Sequence, residues 1–213
     1  MRNLPSLQEI VMYLLAFLIA ITVHEYAHAR SALAAGDDTA KRQGRVSLNP
    51  IDHLDPLGTV MFIFTMLSGF GLAWGKPVPV NPYYFRNPRW DSLKVSLWGP
   101  LSNLITATFL ALILRFVMVP LRLNDGYITL AAVCIMFNLM LAFFNLIPIA
   151  PLDGSKILSS LLPVDLARRY DFTMAKYGIF ILLALIFIRI GGMSILTIVI
   201  WVPIKILMLI LLG

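Results

Sequence analysis

Residues 21–30, with the sequence ITVHEYAHAR, place two histidines and a glutamate at the end of an otherwise apolar run. In an α-helix His24 and His28 lie one turn apart on the same face, with Glu25 beside them. Two imidazoles at this spacing can bind one Zn²⁺ ion and leave the carboxylate free as a general base. Because ionisable side chains are costly inside a membrane, this cluster indicates a metal-dependent hydrolytic centre.

The histidine pair lacks a third ligand, because a catalytic zinc site usually takes three from the protein. The segment NLIPIAPLDG, residues 145–154, ends a second apolar run with Asp153. An aspartate in a proline-rich turn is more often a turn former or a helix cap. The unfilled ligand position reverses that preference, and we expect Asp153 to complete the site.

The composition places this chemistry in a membrane. The 213 residues are 59% hydrophobic and 13% charged, with a mean hydropathy of +0.84, which is too apolar for a soluble domain of this length. We expect an all-α polytopic membrane protein with five to six transmembrane helices in one membrane-embedded domain, residues 1–213. Its catalytic core spans about 8–165 and its C-terminal helices about 173–213. The apolar runs are residues 10–23, 57–73, 95–119, 127–150, 177–190 and 193–213.

Charge and cysteine content exclude other classes. The net charge of +6 comes from basic residues scattered among short loops, which suits orientation in a membrane better than nucleic-acid binding. The single cysteine, Cys134, can form no intrachain disulfide. The expected partners are therefore the lipid bilayer and a membrane-protein substrate, with no nucleic acid; the oligomeric state is not predicted.

Three separated motifs resemble one known family. HEYAH (24–28), GPLSN (99–103) and NLIPIAPLDG together resemble the site-2 protease family of intramembrane zinc metalloproteases, over roughly residues 15–165. The stretches GRVSLNPIDHLDPLGT (44–59) and GKPVPVNPYYFRNP (75–88) resemble small prokaryotic members without a PDZ domain. The resemblance implies one zinc per chain, with these roles: His24, His28 and Asp153 as ligands, Glu25 as base and Asn103 near the oxyanion. An interhelical hydrogen bond is the alternative role for Asn103.

Charge placement predicts how the chain crosses the membrane. The three motifs must share one depth, so residues 30–94 should begin and end on the same side, and the run 57–73 should re-enter rather than cross. Five crossings then put twelve Lys and Arg residues on the motif side and four on the other, with Lys205 left out, whereas six crossings split them nine to seven. The positive-inside rule favours five crossings and a site near the cytoplasmic face. The twelve are Arg30, Lys41, Arg42, Arg45, Lys76, Arg86, Arg89, Lys94, Lys156, Arg168, Arg169 and Lys176; the four are Arg2, Arg115, Arg122 and Arg189.

The segment KPVPVN, residues 76–81, is a candidate for holding a substrate peptide. Its prolines remove donors from one edge, while Val78 and Val80 keep theirs on the other, as suits an edge strand in a short β-hairpin or re-entrant element. RVSLN (45–49) could be its partner strand, and a rigid loop without substrate contact is equally compatible. We assign Val78, Val80 and Asn145 to substrate binding.

The sequence leaves the role of His53 and one competing function open. His53, the remaining histidine, is either a loop residue without a metal role or a group that approaches the zinc or gates water. The competing function is a membrane metal-ion or proton-coupled transporter that uses the same His, Glu and Asp cluster. Transport predicts acidic or histidine-rich access paths on both faces, and the sequence contains only one such cluster.

Overall fold

The computed structural model describes residues 5–68 and 73–212, which are mainly helical. A two-stranded antiparallel sheet of β1 (Arg189–Ile190) and β2 (Met193–Ser194) precedes the last helix. Short 3-10 turns cover Pro50–His53 and Pro82–Tyr84, and a π-helical turn, Leu114–Met118, extends the fourth helix. The α-helices of this part of the chain are α1 (Leu7–Ala35), α2 (Thr39–Arg42), α3 (Pro56–Ser68), α4 (Pro88–Ile113), α5 (Asp125–Asn145), α6 (Asp153–Leu161), α7 (Val164–Phe187) and α8 (Ile195–Leu212).

Five of these helices are long and apolar enough to cross a membrane: α1, α4 with its π-helical turn, α5, α7 and α8. The prediction of an all-α polytopic membrane protein is confirmed. Helix α3 covers most of the apolar run 57–73 but has only 13 residues. At about 1.5 Å per residue it reaches roughly 20 Å, less than the ~30 Å of a hydrocarbon core. The end of that run, residues 69–72, lies outside the described residues.

Helices α1, α4 and α5 pack against one another and carry the first two motifs. The core between α4, α5 and α8 combines small and large side chains, with Ala107 and Ala111 facing Ile135, Leu139 and Ile204. Small residues at a helix interface let the backbones approach closely, which is how helices associate in a membrane. This core holds α4 and α5 together, and α1 packs against both of them.

The predicted β-hairpin between the motif helices is not found in the described residues. Residues 73–81 have no regular secondary structure, and residues 45–49 form no ladder with them. The prolines at 77 and 79 have no N–H to donate, and the guanidinium of Arg45 occupies the carbonyl oxygens of Lys76 and Pro77. A side chain thus replaces the expected partner strand. We call residues 76–81 the strap.

Candidate metal centre

The structure brings together the three side chains that the sequence assigned to the metal. His24 Nε2 and His28 Nε2 lie 3.0 Å apart, as expected for residues one turn apart on α1. Asp153 Oδ2, at the start of α6, lies 3.2 Å from His24 Nε2 and 3.0 Å from His28 Nε2. Both histidines are buried, and the Asp153 side chain is 12% exposed.

Hydrogen bonds from α4 orient both imidazoles. His28 Nδ1 lies 2.8 Å from the carbonyl oxygen of Val95, which can only accept, so Nδ1 carries the proton. His24 Nδ1 lies 2.7 Å from Asn103 Oδ1. With both Nδ1 atoms donating, both Nε2 atoms present lone pairs towards Asp153. Orientation of ligating histidines by such outer hydrogen bonds is usual in metal sites.

Asn103 is itself held rigidly behind His24. Its amide nitrogen donates to the Ala20 carbonyl oxygen at 2.8 Å and to Asn138 Oδ1 at 2.9 Å. The side-chain amide of Asn138 in turn donates to the carbonyl oxygen of Cys134 at 2.9 Å. Because both Asn103 and Asn138 are fully buried and both Asn103 donors are engaged, this geometry favours the interhelical, positioning role of Asn103 over the oxyanion role.

Gly99 permits the contact between α1 and α4 at the metal site. A Cβ atom at this position would lie 2.3 Å from His28 Nε2 and 2.8 Å from His24 Cε1. In the second motif, Gly99 leaves room for the two histidines because it has no side chain. Asn103 of the same motif holds His24 through a hydrogen bond. Any larger residue at 99 would occupy the space in which the ligand atoms converge.

A tight turn after α5 places Asp153 at the first position of α6. Gly154 lies so close to the preceding turn that a Cβ atom there would be 2.4 Å from the carbonyl oxygens of Leu146 and Ile147. At the other end of α6, Arg89 from α4 donates to the carbonyl oxygens of Ser160 and Leu162, at 2.7 and 2.5 Å. Helix α6 is thereby held against α4, which fixes Asp153 opposite the histidines.

The donor set fits zinc. Zn–N bonds of about 2.0–2.1 Å in tetrahedral geometry separate ligand atoms by roughly 3.3 Å, and the three observed separations are 3.0 to 3.2 Å. Two lone-pair nitrogens and a carboxylate oxygen repel one another at such distances unless a metal ion or a proton lies among them. In the described part of the chain, these three residues form the one His, Cys, Asp and Glu cluster suited to a metal ion.

A cavity of about 250 Å³ opens beside these atoms. Glu25 faces the cavity, and its Oε2 accepts a hydrogen bond from the backbone N–H of Val78 at 2.7 Å. Val80 and Asn145, which the sequence assigned to substrate binding with Val78, also line the cavity. The Asn145 amide donates to the Leu141 carbonyl oxygen at 3.0 Å. The remaining lining is largely apolar: Pro77, Pro82, Phe85, Val95 and Pro151, with Ser92, Ser96 and Lys156.

His53 lies outside the metal cluster. It is fully buried, its Nε2 lies 2.7 Å from the Ser47 carbonyl oxygen, and its backbone oxygen accepts from Lys76 N–H at 2.9 Å. Its position corresponds to the loop alternative of the sequence analysis.

Sequence reasoning missed Asn138 and the contacts of Arg45. Asn138 gave a usable signal, since an amide in an apolar membrane helix is costly and commonly pairs with another helix. Nothing in the local sequence around Arg45 indicates which distant carbonyl groups it contacts.

Comparisons with known proteins agree with this chemistry. The model of Peptidase family M50 matches residues 117–188, which include Asp153. YwhC of Bacillus subtilis is 40% identical over 185 residues, 84% of this chain and 81% of that protein. Rip2 of Mycobacterium tuberculosis is 33% identical over 149 residues, 68% of this chain and 54% of that protein. Both relatives are named as zinc metalloproteases.

No solved structure gives a significant match to the chain. The alignment with YwhC nevertheless extends over most of both proteins, and five apolar helices give the chain the build of a multi-pass membrane protein. The chain belongs to peptidase family M50, the site-2 proteases, and is a zinc metalloprotease.

Proposed function

We propose that this metalloprotease is an intramembrane endopeptidase that cleaves membrane-spanning or membrane-embedded peptides near the cytoplasmic face. The observation that carries the proposal is the convergence of His24, His28 and Asp153 beside a cavity that Glu25 also lines. These groups lie on α1, which is long and apolar enough to cross a membrane, and at the start of α6. A peptide bond that reaches them must come from within or beside the membrane.

In this proposal His24 Nε2, His28 Nε2 and Asp153 Oδ2 hold one zinc ion. Bound zinc supplies Lewis acidity, which polarises a peptide carbonyl and lowers the pKa of water. Val95 and Asn103 keep the two Nε2 atoms unprotonated and aimed at the ion.

Glu25 is the proposed base. Its carboxylate takes a proton from the water whose oxygen attacks the peptide carbon, and later gives that proton to the amide nitrogen as the C–N bond breaks. Glu25 contributes no ligand atom to the cluster of the three metal-binding candidates, so the carboxylate is free for this work. In the peptide-free molecule Glu25 Oε2 accepts from the N–H of Val78, a contact that fixes the direction of the carboxylate.

The strap is the proposed binding edge for the substrate. A peptide bond in a transmembrane helix is shielded by its own hydrogen bonds, so the substrate must unwind and find new partners. Among the described residues, the Val80 N–H and the carbonyl oxygens of Val78 and Val80 have no hydrogen-bond partner. An extended peptide could pair with these groups while its side chains occupy the cavity. Asn145, whose Oδ1 accepts no hydrogen bond among the described residues, could accept one from a peptide N–H at the opposite wall.

The placement near the cytoplasmic face is supported by charge. Twelve Lys and Arg residues lie on the motif side of a five-crossing chain and four on the other. The shortness of α3 supports five crossings over six, since its 13 residues do not reach across a bilayer. Membership of a peptidase family decides between hydrolysis and the transporter alternative.

The proposal is tested with the full chain reconstituted in liposomes together with single-span synthetic peptides of varied sequence. Mass spectrometry of the products locates any cleaved bond. We expect cleavage within or next to the span, and none with Glu25→Gln. Equal cleavage by wild type and Glu25→Gln, or cleavage confined to soluble peptides, would contradict the proposal.

A further inference from the structure

The motif GRVSLNPIDH, residues 44–53, has no part in the chemistry described above, yet it contacts the strap directly. Arg45 Nη2 donates to the Lys76 carbonyl oxygen at 2.6 Å, and Arg45 Nη1 donates to the Pro77 carbonyl oxygen at 3.2 Å. We propose that Arg45 is a positioning residue that fixes the strap beside the metal centre and thereby sets how a peptide is held for cleavage. The part of this proposal that concerns the peptide rests on the proposed function.

The burial of Arg45 argues against a general surface role. The residue is 5% exposed, and no carboxylate lies within ion-pair distance of it in the described residues. A buried guanidinium is costly unless its donors are engaged. The donors that are engaged reach two successive carbonyl groups of the strap, so the contact with the strap is what compensates the burial of this charge.

The strap is held at further points on either side of these carbonyls. Lys76 N–H donates to the His53 carbonyl oxygen at 2.9 Å. At the other end, Asn81 N–H donates at 2.6 Å to Asp37 Oδ2, a fully buried carboxylate just beyond α1. Between them, the Val78 N–H donates a hydrogen bond to Glu25 Oε2. A cation thus holds carbonyls at the start of the strap, and an anion holds an N–H group at its end.

Side-chain packing places Arg45 and the strap in one unit with α1. Val78 is buried against Ala29 of α1 and Ala40 of α2, and Val46 and Val80 pack against the same cluster. The backbone N–H of Arg45 also donates to the Ala40 carbonyl oxygen at 2.8 Å. Because Ala29 follows His28 directly in α1, this cluster packs the strap against the helix that carries His24 and His28.

The consequence concerns peptide binding more than metal binding. Arg45 does not touch the ligand atoms, so its loss should leave the zinc site intact. Residues 76–81 should then become mobile. The unpaired backbone groups of Val78 and Val80 would no longer hold one arrangement, so the entropic cost of ordering them when a peptide binds should rise. Lysine would not replace arginine fully, since an ammonium lacks the planar fork that reaches two acceptors at once.

The test compares Arg45→Met, which keeps a long side chain without donors, with Arg45→Lys and with the control Arg42→Met. Arg42 is exposed, lies three residues away and pairs with Asp38 instead of the strap. All four proteins, as full chains in detergent micelles, are analysed by hydrogen exchange of the 73–81 amides, zinc content and peptide kinetics. The peptide is one found to be cleaved by the wild type.

For Arg45→Met we expect roughly tenfold faster exchange in the strap and about a tenfold rise in KM with kcat changed less than about threefold. Zinc content should stay at wild-type level. Arg45→Lys should shift exchange and KM in the same direction by a smaller factor, and Arg42→Met should match the wild type. A fall in kcat with unchanged KM, or strap exchange at the wild-type rate, would overturn the proposal.

If Arg45→Met does not fold, Arg45→Lys decides, and wild-type strap exchange in that variant would overturn the two-carbonyl contact. If the wild type cleaves no membrane peptide, the proposed function fails. The exchange rates of the strap still decide whether Arg45 anchors it, because that measurement needs no activity.

Discussion

Asn103 Oδ1 lies 2.7 Å from His24 Nδ1, on the side of the imidazole that faces away from Asp153. This contact fixes the tautomer of His24 and connects the metal site to α5 through Asn138. We propose that this contact lets Asn103 orient His24 for metal binding, a role that differs from that of an oxyanion donor, and the two roles can be separated by experiment.

Asn103→Ala should weaken zinc binding by roughly 10–100-fold, the usual effect of removing a partner that orients a ligating histidine. Competition with a chromophoric chelator measures the affinity. The matched control is Asn145→Ala, which removes an amide from the cavity but leaves His24 untouched. An oxyanion donor would behave differently, since its removal costs about 10²–10³ in turnover with zinc affinity unchanged.

Asp153→Ala should reduce zinc affinity by more than Asn103→Ala, because it removes a ligand instead of a residue that orients one. Purified wild type should contain about one zinc per chain by metal analysis. Asp165→Ala is a suitable control, being an exposed acidic residue in the first turn of the next helix. Undiminished zinc in a folded Asp153→Ala or His24→Ala protein would exclude that residue as a ligand.

Glu25→Gln should retain zinc and lose hydrolysis. The glutamine oxygen can still accept from Val78 N–H, so the substitution preserves the contact with the strap and removes the basic carboxylate. Metal analysis and peptide cleavage on the same preparation test both halves. Activity close to that of the wild type would mean that another group takes the proton from water.

Local spacing predicted the parts of the site that one helix supplies. His24 and His28 follow from the i, i+4 geometry of α1, and the fold class follows from the length of the apolar runs, because both are local properties of the chain. Asp153 lies 125 residues from His28, and the need for a third ligand and the family resemblance connected the two. The ligand set itself stays a prediction until metal analysis is done.

The contacts that orient these groups were beyond sequence reasoning. The hydrogen bond from His28 to the Val95 carbonyl oxygen uses a backbone group, which has no residue type to reveal it. The contact between Arg45 and the strap depends on two loops that meet in space 31 residues apart along the chain. The β-hairpin, one of the forms expected for this segment, is not found among the described residues, where the side chain of Arg45 occupies the carbonyl groups of Lys76 and Pro77.

The last prediction concerns how the chain crosses the membrane. Cysteines introduced singly at Arg42 and Arg86 in a Cys134→Ala background should both react with a membrane-impermeant maleimide from the cytoplasmic side. Both residues are exposed, and they lie on either side of α3, whose described residues Pro56–Ser68 are too few to cross.

Leu121→Cys, in the exposed connection between α4 and α5, is the matched control and should react only from the opposite side, since α4 crosses the membrane between Arg86 and Leu121. Labelling of Arg42 and Arg86 positions from opposite faces would require α3 and the residues after it to cross the bilayer. His24 in α1 and Asp153 at the start of α6 could then share one depth only if the long helices between them crossed differently, so the five-crossing arrangement would be wrong.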